Sequence, residues 1–322
     1  MFLVAFENIG LMLLMAIPGF IIAKLKMIDS QKAIKFISVL LLYVCQPFVT
    51  FDAFLNTPFD KAILLNIAVC FLITAFLISI IAILSNLIFK ATIIDKEVCG
   101  VFSYASAFGN IGYLCVPFLQ ILAPSNTEII VYASAAIVAF NILAWTLGNF
   151  LITKDKKHVS IKNIILNPAT LSFLIALPLF MLNLNFPRFP KLSGLQKIIN
   201  LMGNLVGPLA MLMVGICFAN SKIRESLKNN KTYVPVAVTI IIKLLISPIL
   251  AFLILKLIST FYDTGSINLN IIALSAMPVA NNLIMFCSLA NRETETPTSI
   301  VLLSTLIAAI TIPLMLNLYT VV

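Results

Sequence analysis

The stretch Ser106-Ala-Phe-Gly-Asn-Ile-Gly-Tyr-Leu-Cys-Val-Pro117 decides the fold, because it is apolar enough to cross a membrane and yet cannot form one continuous helix. Gly109, Gly112 and Pro117 weaken or remove the backbone hydrogen bonds of a helix. Asn110 adds a side-chain amide at the same depth. Free N–H and C=O groups inside a bilayer are tolerated only where protein or a water-filled cavity satisfies them. The stretch therefore predicts a binding site for a small polar solute.

The composition of the whole chain predicts a polytopic protein integral to the cell membrane. Of its 322 residues, 61% are hydrophobic and only 10% are charged, and the mean hydropathy is +1.11. A soluble domain carries about 25% charged residues. The net charge of +9 does not indicate nucleic acid as a partner, because the Lys and Arg residues form short clusters between apolar segments rather than one basic face.

A helix that crosses about 30 Å of hydrocarbon needs roughly 20 residues. On that basis the sequence predicts an all-α protein with ten transmembrane helices. Their expected bounds are 6–25, 34–55, 62–89, 97–122, 128–152, 168–186, 195–219, 233–259, 270–290 and 297–320. Most Lys and Arg residues lie in alternate loops, beginning with the loop after the first span, which predicts that both termini are outside the cell.

The ten spans divide at a basic linker, residues 153–167, into a first repeat of five helices, residues 1–152, and a second repeat, residues 168–322. Because five is odd, the second repeat would be inverted relative to the first. Three features match between the halves: Pro18 with Pro178, Lys35 to Pro47 with Lys197 to Pro208, and the interruption at Gly109–Pro117 with that at Pro278–Asn282. Interrupted helices at corresponding places in two inverted halves indicate a transporter site.

The two interrupted helices, the fourth and the ninth, are expected to cross near the bilayer midplane. The ends of the half-helices would supply free N–H donors and partial positive charge, and side-chain amides would supply further donors. Such donors suit a carboxylate. The predicted substrate-binding residues are Gly109, Asn110, Ile111, Gly112, Pro117, Pro278, Ala280, Asn281 and Asn282. For the three asparagines, a role in tying the broken backbone together is the alternative.

Three further polar residues at membrane depth form a predicted supporting site. Lys243 lies within an apolar span, where an ionisable group is by default a functional hypothesis. It could hold half-helix C-termini, attract an anion or titrate, and a structural role is the alternative. For Asn141 and Gln46, hydrogen bonding between helices without substrate contact is as good an explanation.

The sequence lacks the residues that several classes of protein need for their function. The sequence has no GxxxxGK[ST] loop for ATP, no Ser-His-Asp or metal-ligand cluster, and no carboxylate pair within a span for a proton relay. We therefore expect neither an enzyme nor a cofactor or metal site, and a coupling ion, H+ or Na+, stays open.

The chain resembles the auxin efflux carrier family, which includes plant auxin exporters and bacterial malate or malonate permeases. The resemblance rests on the span count and on five segments in order: Gly109 through Pro117, Asn141 through Gly148, Lys243 through Pro248, Ala276-Met-Pro-Val-Ala280, and Ser304 through Pro313. It implies a crossed-helix, elevator-type carrier, in which spans one, two, six and seven form a scaffold and the others form the moving transport domain. It also implies that Asn110 contacts the substrate carboxylate, that Asn141 belongs to a supporting site, and that the scaffold forms a homodimer.

The chain lacks the long central cytoplasmic loop of the plant members, and the short stretch 153–167 stands in its place. This difference argues against auxin as the substrate. The sequence thus predicts a secondary transporter, a permease or efflux carrier, for a small organic anion such as a mono- or dicarboxylate. Three alternatives stay open: a sodium-coupled bile-acid-type symporter, a cation–proton antiporter, and a membrane sensor or receptor without turnover. The antiporter is the least favoured, because it needs titrating Asp residues at the crossing.

Overall fold

The computed structural model describes residues 2–92, 96–154, 161–220 and 230–318, and these residues are almost entirely helical. Most of the predicted basic linker, residues 155–160, and the basic stretch 221–229 lie outside the described residues. The helices of eight or more residues are α1 Phe2–Lys24, α2 Ser30–Asn56, α3 Lys61–Thr92, α4 Lys96–Ala107, α5 Ile111–Leu122, α6 Thr127–Thr153, α7 Pro168–Met181, α8 Pro190–Ala219, α9 Tyr233–Ile258, α10 Gly265–Ala276, α11 Asn282–Leu289 and α12 Glu295–Leu316.

Seven of the helices in the described ranges are long and apolar enough to cross a membrane: α1, α2, α3, α6, α8, α9 and α12. The protein is therefore a multi-pass membrane protein. The segments predicted as spans four and nine each consist of two shorter helices, α4 with α5 and α10 with α11. The segment predicted as span six contains the short helix α7.

Several predicted helix bounds were wrong because local capping was overlooked. The helix predicted over 168–186 ends at Met181, where Asn183 adopts the left-handed conformation with φ 52°. The N–H of Leu184 donates to Leu179 O, and the N–H of Asn183 donates to Phe180 O, which is a Schellman ending. At α2 the helix starts at Ser30 rather than 34, because the Asp29 carboxylate caps its first turn.

Within the described ranges, four helical turns are widened to π geometry, and three of them end two residues before a proline. The turns at Leu41–Cys45, Ile111–Cys115 and Ile242–Ile246 are followed two residues later by Pro47, Pro117 and Pro248. A proline lacks its N–H and its ring clashes with the carbonyl four residues earlier. A wider turn relieves that clash while the chain stays helical.

The helices pack mainly as two groups. In the first group, α1 lies along α8, and α2 packs on both α7 and α8. In the second group, α3 packs on α4 and α6, and α10 packs on α9 and α12. The closest approach in the first group is made by glycines, since Gly19 faces the backbone of Leu212 and Gly215 faces the backbone of Ala16. Small residues of this kind let membrane helices approach closely.

Candidate functional site

The interruptions after α4 and after α10 lie against each other. The N–H of Asn110 donates to Pro278 O at 2.7 Å, and the N–H of Ala280 donates to Phe108 O at 3.0 Å. Between these two bonds, Gly109 and Val279 form an isolated antiparallel bridge. The two extended segments thus satisfy part of each other's backbone, as an interruption inside a membrane protein requires.

A serine on α12 stabilises this crossing. The N–H of Val279 donates to Ser304 Oγ at 3.1 Å, and the Ser304 hydroxyl itself donates to Val301 O in its own helix at 2.9 Å. Ser304 is fully buried. The sequence analysis did not assign Ser304 to the site, and a single serine in an apolar helix gives little signal of such a role.

Two helices begin at the crossing. α5 starts at Ile111, directly after Asn110, and α11 starts at Asn282, directly after Asn281. The first turn of a helix has N–H groups without intrahelical acceptors and carries partial positive charge. The crossing therefore presents two helix N-termini to whatever occupies it, an arrangement that favours an anion.

The asparagine side chains at these N-termini are available to a ligand. Asn110 is buried, with 7% of its surface exposed, and its side-chain amide makes no hydrogen bond within the described part of the chain. Asn281 and Asn282 are half-buried, and their side chains likewise have no hydrogen-bond partner among those residues. The alternative that these amides tie the broken backbone together has no contact to support it here.

Lys243 reaches the same crossing from α9. Its Nζ donates to Ser275 O at 3.2 Å, near the C-terminal end of α10, and Ser247 Oγ donates to the same carbonyl at 3.2 Å. A β-carbon built on Gly109 would lie 2.9 Å from Nζ, so the absence of a side chain at Gly109 lets the ammonium approach this closely. Lys243 is 2% exposed. The ammonium thus holds one half-helix C-terminus and lies beside the residue that precedes Asn110.

Of the other predicted residues, Ile111 lies at the crossing, and Pro117 and Asn141 lie elsewhere. Ile111 is buried at the start of α5, and Pro117 faces Gly207 of α8. Asn141 does not contact the crossing: its Nδ2 donates to Asn167 Oδ1 at 3.2 Å, and that oxygen also caps α7 by accepting from the N–H of Ala169. The contact between helices is thus the role that the structure gives to Asn141.

Gln46 lies opposite the crossing on α2. A β-carbon at Gly112 would lie 3.8 Å from its Oε1. Gln46 is 2% exposed, and both Oε1 and Nε2 lack a hydrogen-bond partner in the described structure. Unsatisfied buried amides are rare, and each one requires an explanation.

Beside the crossing, an apolar cleft separates the two helix groups. Its walls come from α1 and α8 on one side and from α5, Met277 and α12 on the other. The lining residues are Ile9, Met12, Leu13, Leu114, Phe118, Met211, Val214, Met277, Thr305, Ala308, Ala309 and Ile312. The one polar member, Thr305, donates its hydroxyl to Val301 O of its own helix. The cleft therefore contains no polar contact that joins the two groups.

Comparison with known families gives one match that extends over almost the whole chain. The family described as membrane transport protein matches residues 4–163 and again residues 156–316. The two matches meet inside the basic stretch that the sequence analysis predicted as a linker. A search of curated proteins finds no match. This family comprises membrane transporters and not enzymes. Because its model matches more than half of the chain, the chain belongs to the membrane transport protein family, which is that of the auxin efflux carriers.

Proposed function

We propose that this transporter is a secondary carrier of a small organic anion, a mono- or dicarboxylate, which binds where the interruptions after α4 and α10 cross. The observation that carries the proposal is that two neighbouring donors at the crossing can each donate further hydrogen bonds. The Asn110 amide has no partner among the described residues, and the buried Lys243 ammonium has one backbone carbonyl. A carboxylate accepts hydrogen bonds from both kinds of donor.

The charge of the segments around the crossing favours an anion over a cation. Residues 98–127, 233–262 and 264–292 contain no Asp or Glu. These segments therefore offer no carboxylate to neutralise Lys243. A buried charge without a counter-ion costs several kcal/mol, and a bound anion offsets that cost. A cation at this place would meet an ammonium and two helix N-termini.

The proposal includes an elevator mechanism with ten spans in two inverted repeats, and the packing of the helices as two groups supports the elevator mechanism. In this proposal α1, α2, α7 and α8 form the scaffold, and the second group, which contains both interrupted segments, is the transport domain. The cleft between the groups is lined by apolar side chains. No hydrogen bond would have to break in the cleft when the transport domain slides along the scaffold and carries the crossing with it. Outside the cleft, the bond from Asn141 Nδ2 to Asn167 Oδ1 joins the two groups and would have to break. The orientation with both termini outside, and dimerisation through the scaffold, belong to the same proposal.

Counterflow in proteoliposomes tests whether the protein turns over. Vesicles preloaded with an unlabelled acid should transiently accumulate the same acid in labelled form, and Asn110→Ala should abolish this accumulation while the protein stays folded. Binding without counterflow would instead identify a sensor. Unchanged counterflow by the Asn110→Ala variant would exclude the proposed site. Repeating the assay with and without Na+, and with a pH gradient, identifies the coupling ion.

A further inference from the structure

The side chain of Gln46 is a buried amide that the proposed carboxylate site does not use and that has no partner for either polar atom among the described residues. It lies on α2, outside the group of helices that contains the crossing, and its amide faces Gly112. Both amide atoms are buried and unpartnered, although Gln46 is only 2% exposed. Leaving a buried polar group unsatisfied is costly, and a ligand that satisfies it recovers that cost.

Gln46 lies near Asn110 because the residue that its amide faces, Gly112, is close to Asn110 in the chain. Gly112 lies two residues after Asn110, and two residues of chain span at most about 7 Å. An anion of three or four carbons whose carboxylate contacts Asn110 can therefore extend toward Gln46. Gly112 has no side chain, and a β-carbon built there would lie 3.8 Å from Gln46 Oε1.

Because both polar atoms of the Gln46 amide lack partners, a ligand group that satisfies them must both donate and accept a hydrogen bond. Oε1 needs a donor and Nε2 needs an acceptor. An alkyl chain offers neither, and an ionised carboxylate or a ketone offers only acceptors. A hydroxyl group both donates and accepts, so it satisfies both atoms of Gln46.

We infer that Gln46 is a specificity-determining residue that binds a hydroxyl group of the substrate, and that the protein carries a hydroxycarboxylate. The inference rests on the proposed carboxylate site at Asn110. In this arrangement Asn110 holds the carboxylate, and Gln46 distinguishes a hydroxy acid from the same acid without its hydroxyl. A site built to hydrogen-bond a hydroxyl rejects the analogue that lacks it, because its own polar atoms stay unpaired.

The experiment compares matched acids by thermal shift on the purified full-length protein: lactate against propionate, and malate against succinate. We expect the wild type to bind the hydroxy acid of each pair at least tenfold more tightly. Gln46→Met should bind both acids of each pair equally, at the level of the weaker one. Its melting temperature without ligand should equal or exceed that of the wild type, because an unsatisfied amide has been removed. A merely structural role for Gln46 predicts a lower melting temperature instead.

The matched control is Thr50→Val, one turn along α2. Thr50 is equally buried, but its hydroxyl donates to Gln46 O and so is satisfied. This variant should keep the preference for the hydroxyl. Equal binding of the two acids by the wild type, or a preference that survives Gln46→Met, overturns the inference. If Asn110→Ala still abolishes binding of every acid in that case, the carboxylate site stands and only the role of Gln46 is lost. If no carboxylate binds the wild type at all, the proposed function fails as well.

Discussion

Removing the Ser304 hydroxyl tests whether the crossing depends on a single side chain of α12. In the wild type, the N–H of Val279 donates to Ser304 Oγ at 3.1 Å, and Ser304→Ala removes this acceptor. Val279 is completely buried, so water cannot replace the hydroxyl. The adjacent residue offers a matched control, because the Thr305 hydroxyl bonds only to Val301 O of its own helix.

The expected magnitude follows from the difference between these two residues. Both variants lose a hydroxyl bond to Val301 O, and only Ser304→Ala leaves a buried N–H unsatisfied, which costs about 1–3 kcal/mol. Ser304→Ala should therefore be less stable than Thr305→Val by about that amount. The free energy of unfolding in mixed detergent micelles, measured by denaturant titration, gives this difference. Transport should fall in parallel, because Val279 lies between Pro278 and Ala280, which bond to the α4 side of the crossing.

Equal stability of the two variants would refute this reasoning. It would mean that Val279 has another acceptor, and that Ser304 does not hold the α10 side of the crossing. Ser304→Thr, which keeps a hydroxyl on the same β-carbon, should restore much of the lost stability if the hydroxyl bond is the cause.

Three further predictions address other parts of the molecule. Lys243→Met should fold and lose transport, because it removes the buried cation, whereas Lys256→Met near the far end of the same helix should transport normally in the same vesicles. Gly215→Val should destabilise the protein by at least about 1–3 kcal/mol, because its β-carbon would press on the α1 backbone; Gly10→Ala, which meets nothing within 4 Å, should not lower the melting temperature. Asn141→Ala should cost about 0.5–1.5 kcal/mol and keep transport activity, since Asn141 bonds to Asn167 and not to the crossing.

The sequence predicted the class and most helices of this protein because hydropathy alone determines them. Seven helices agree with the long apolar segments. The ends of helices were less predictable, because they depend on short capping contacts. The left-handed Asn183 that ends α7 and the Asp29 cap that starts α2 each shift a boundary by a few residues. A hydropathy window has no information about either contact.

The composition of the site was predictable only in part. Gly109, Asn110 and Pro278 stand out in the sequence because glycine, amide and proline are unusual in apolar spans, and the structure brings the three together. That Lys243 bonds to Ser275 O depends on how α9 packs on α10, which no local pattern encodes. The sequence offered hydrogen bonding between helices as one role for Asn141, but for the same reason it did not identify Asn167 as the partner.

The central claim is that a negatively charged substrate binds at the Asn110 amide. Solid-state NMR on the protein in lipid, with a 13C-carboxyl-labelled acid and 15N-labelled asparagine side chains, measures this contact directly. A hydrogen bond between them places the carboxyl carbon within about 4 Å of the Asn110 side-chain nitrogen, and Asn110→Ala should remove the signal. A bound acid whose carboxyl carbon shows no coupling to Asn110 would contradict the account.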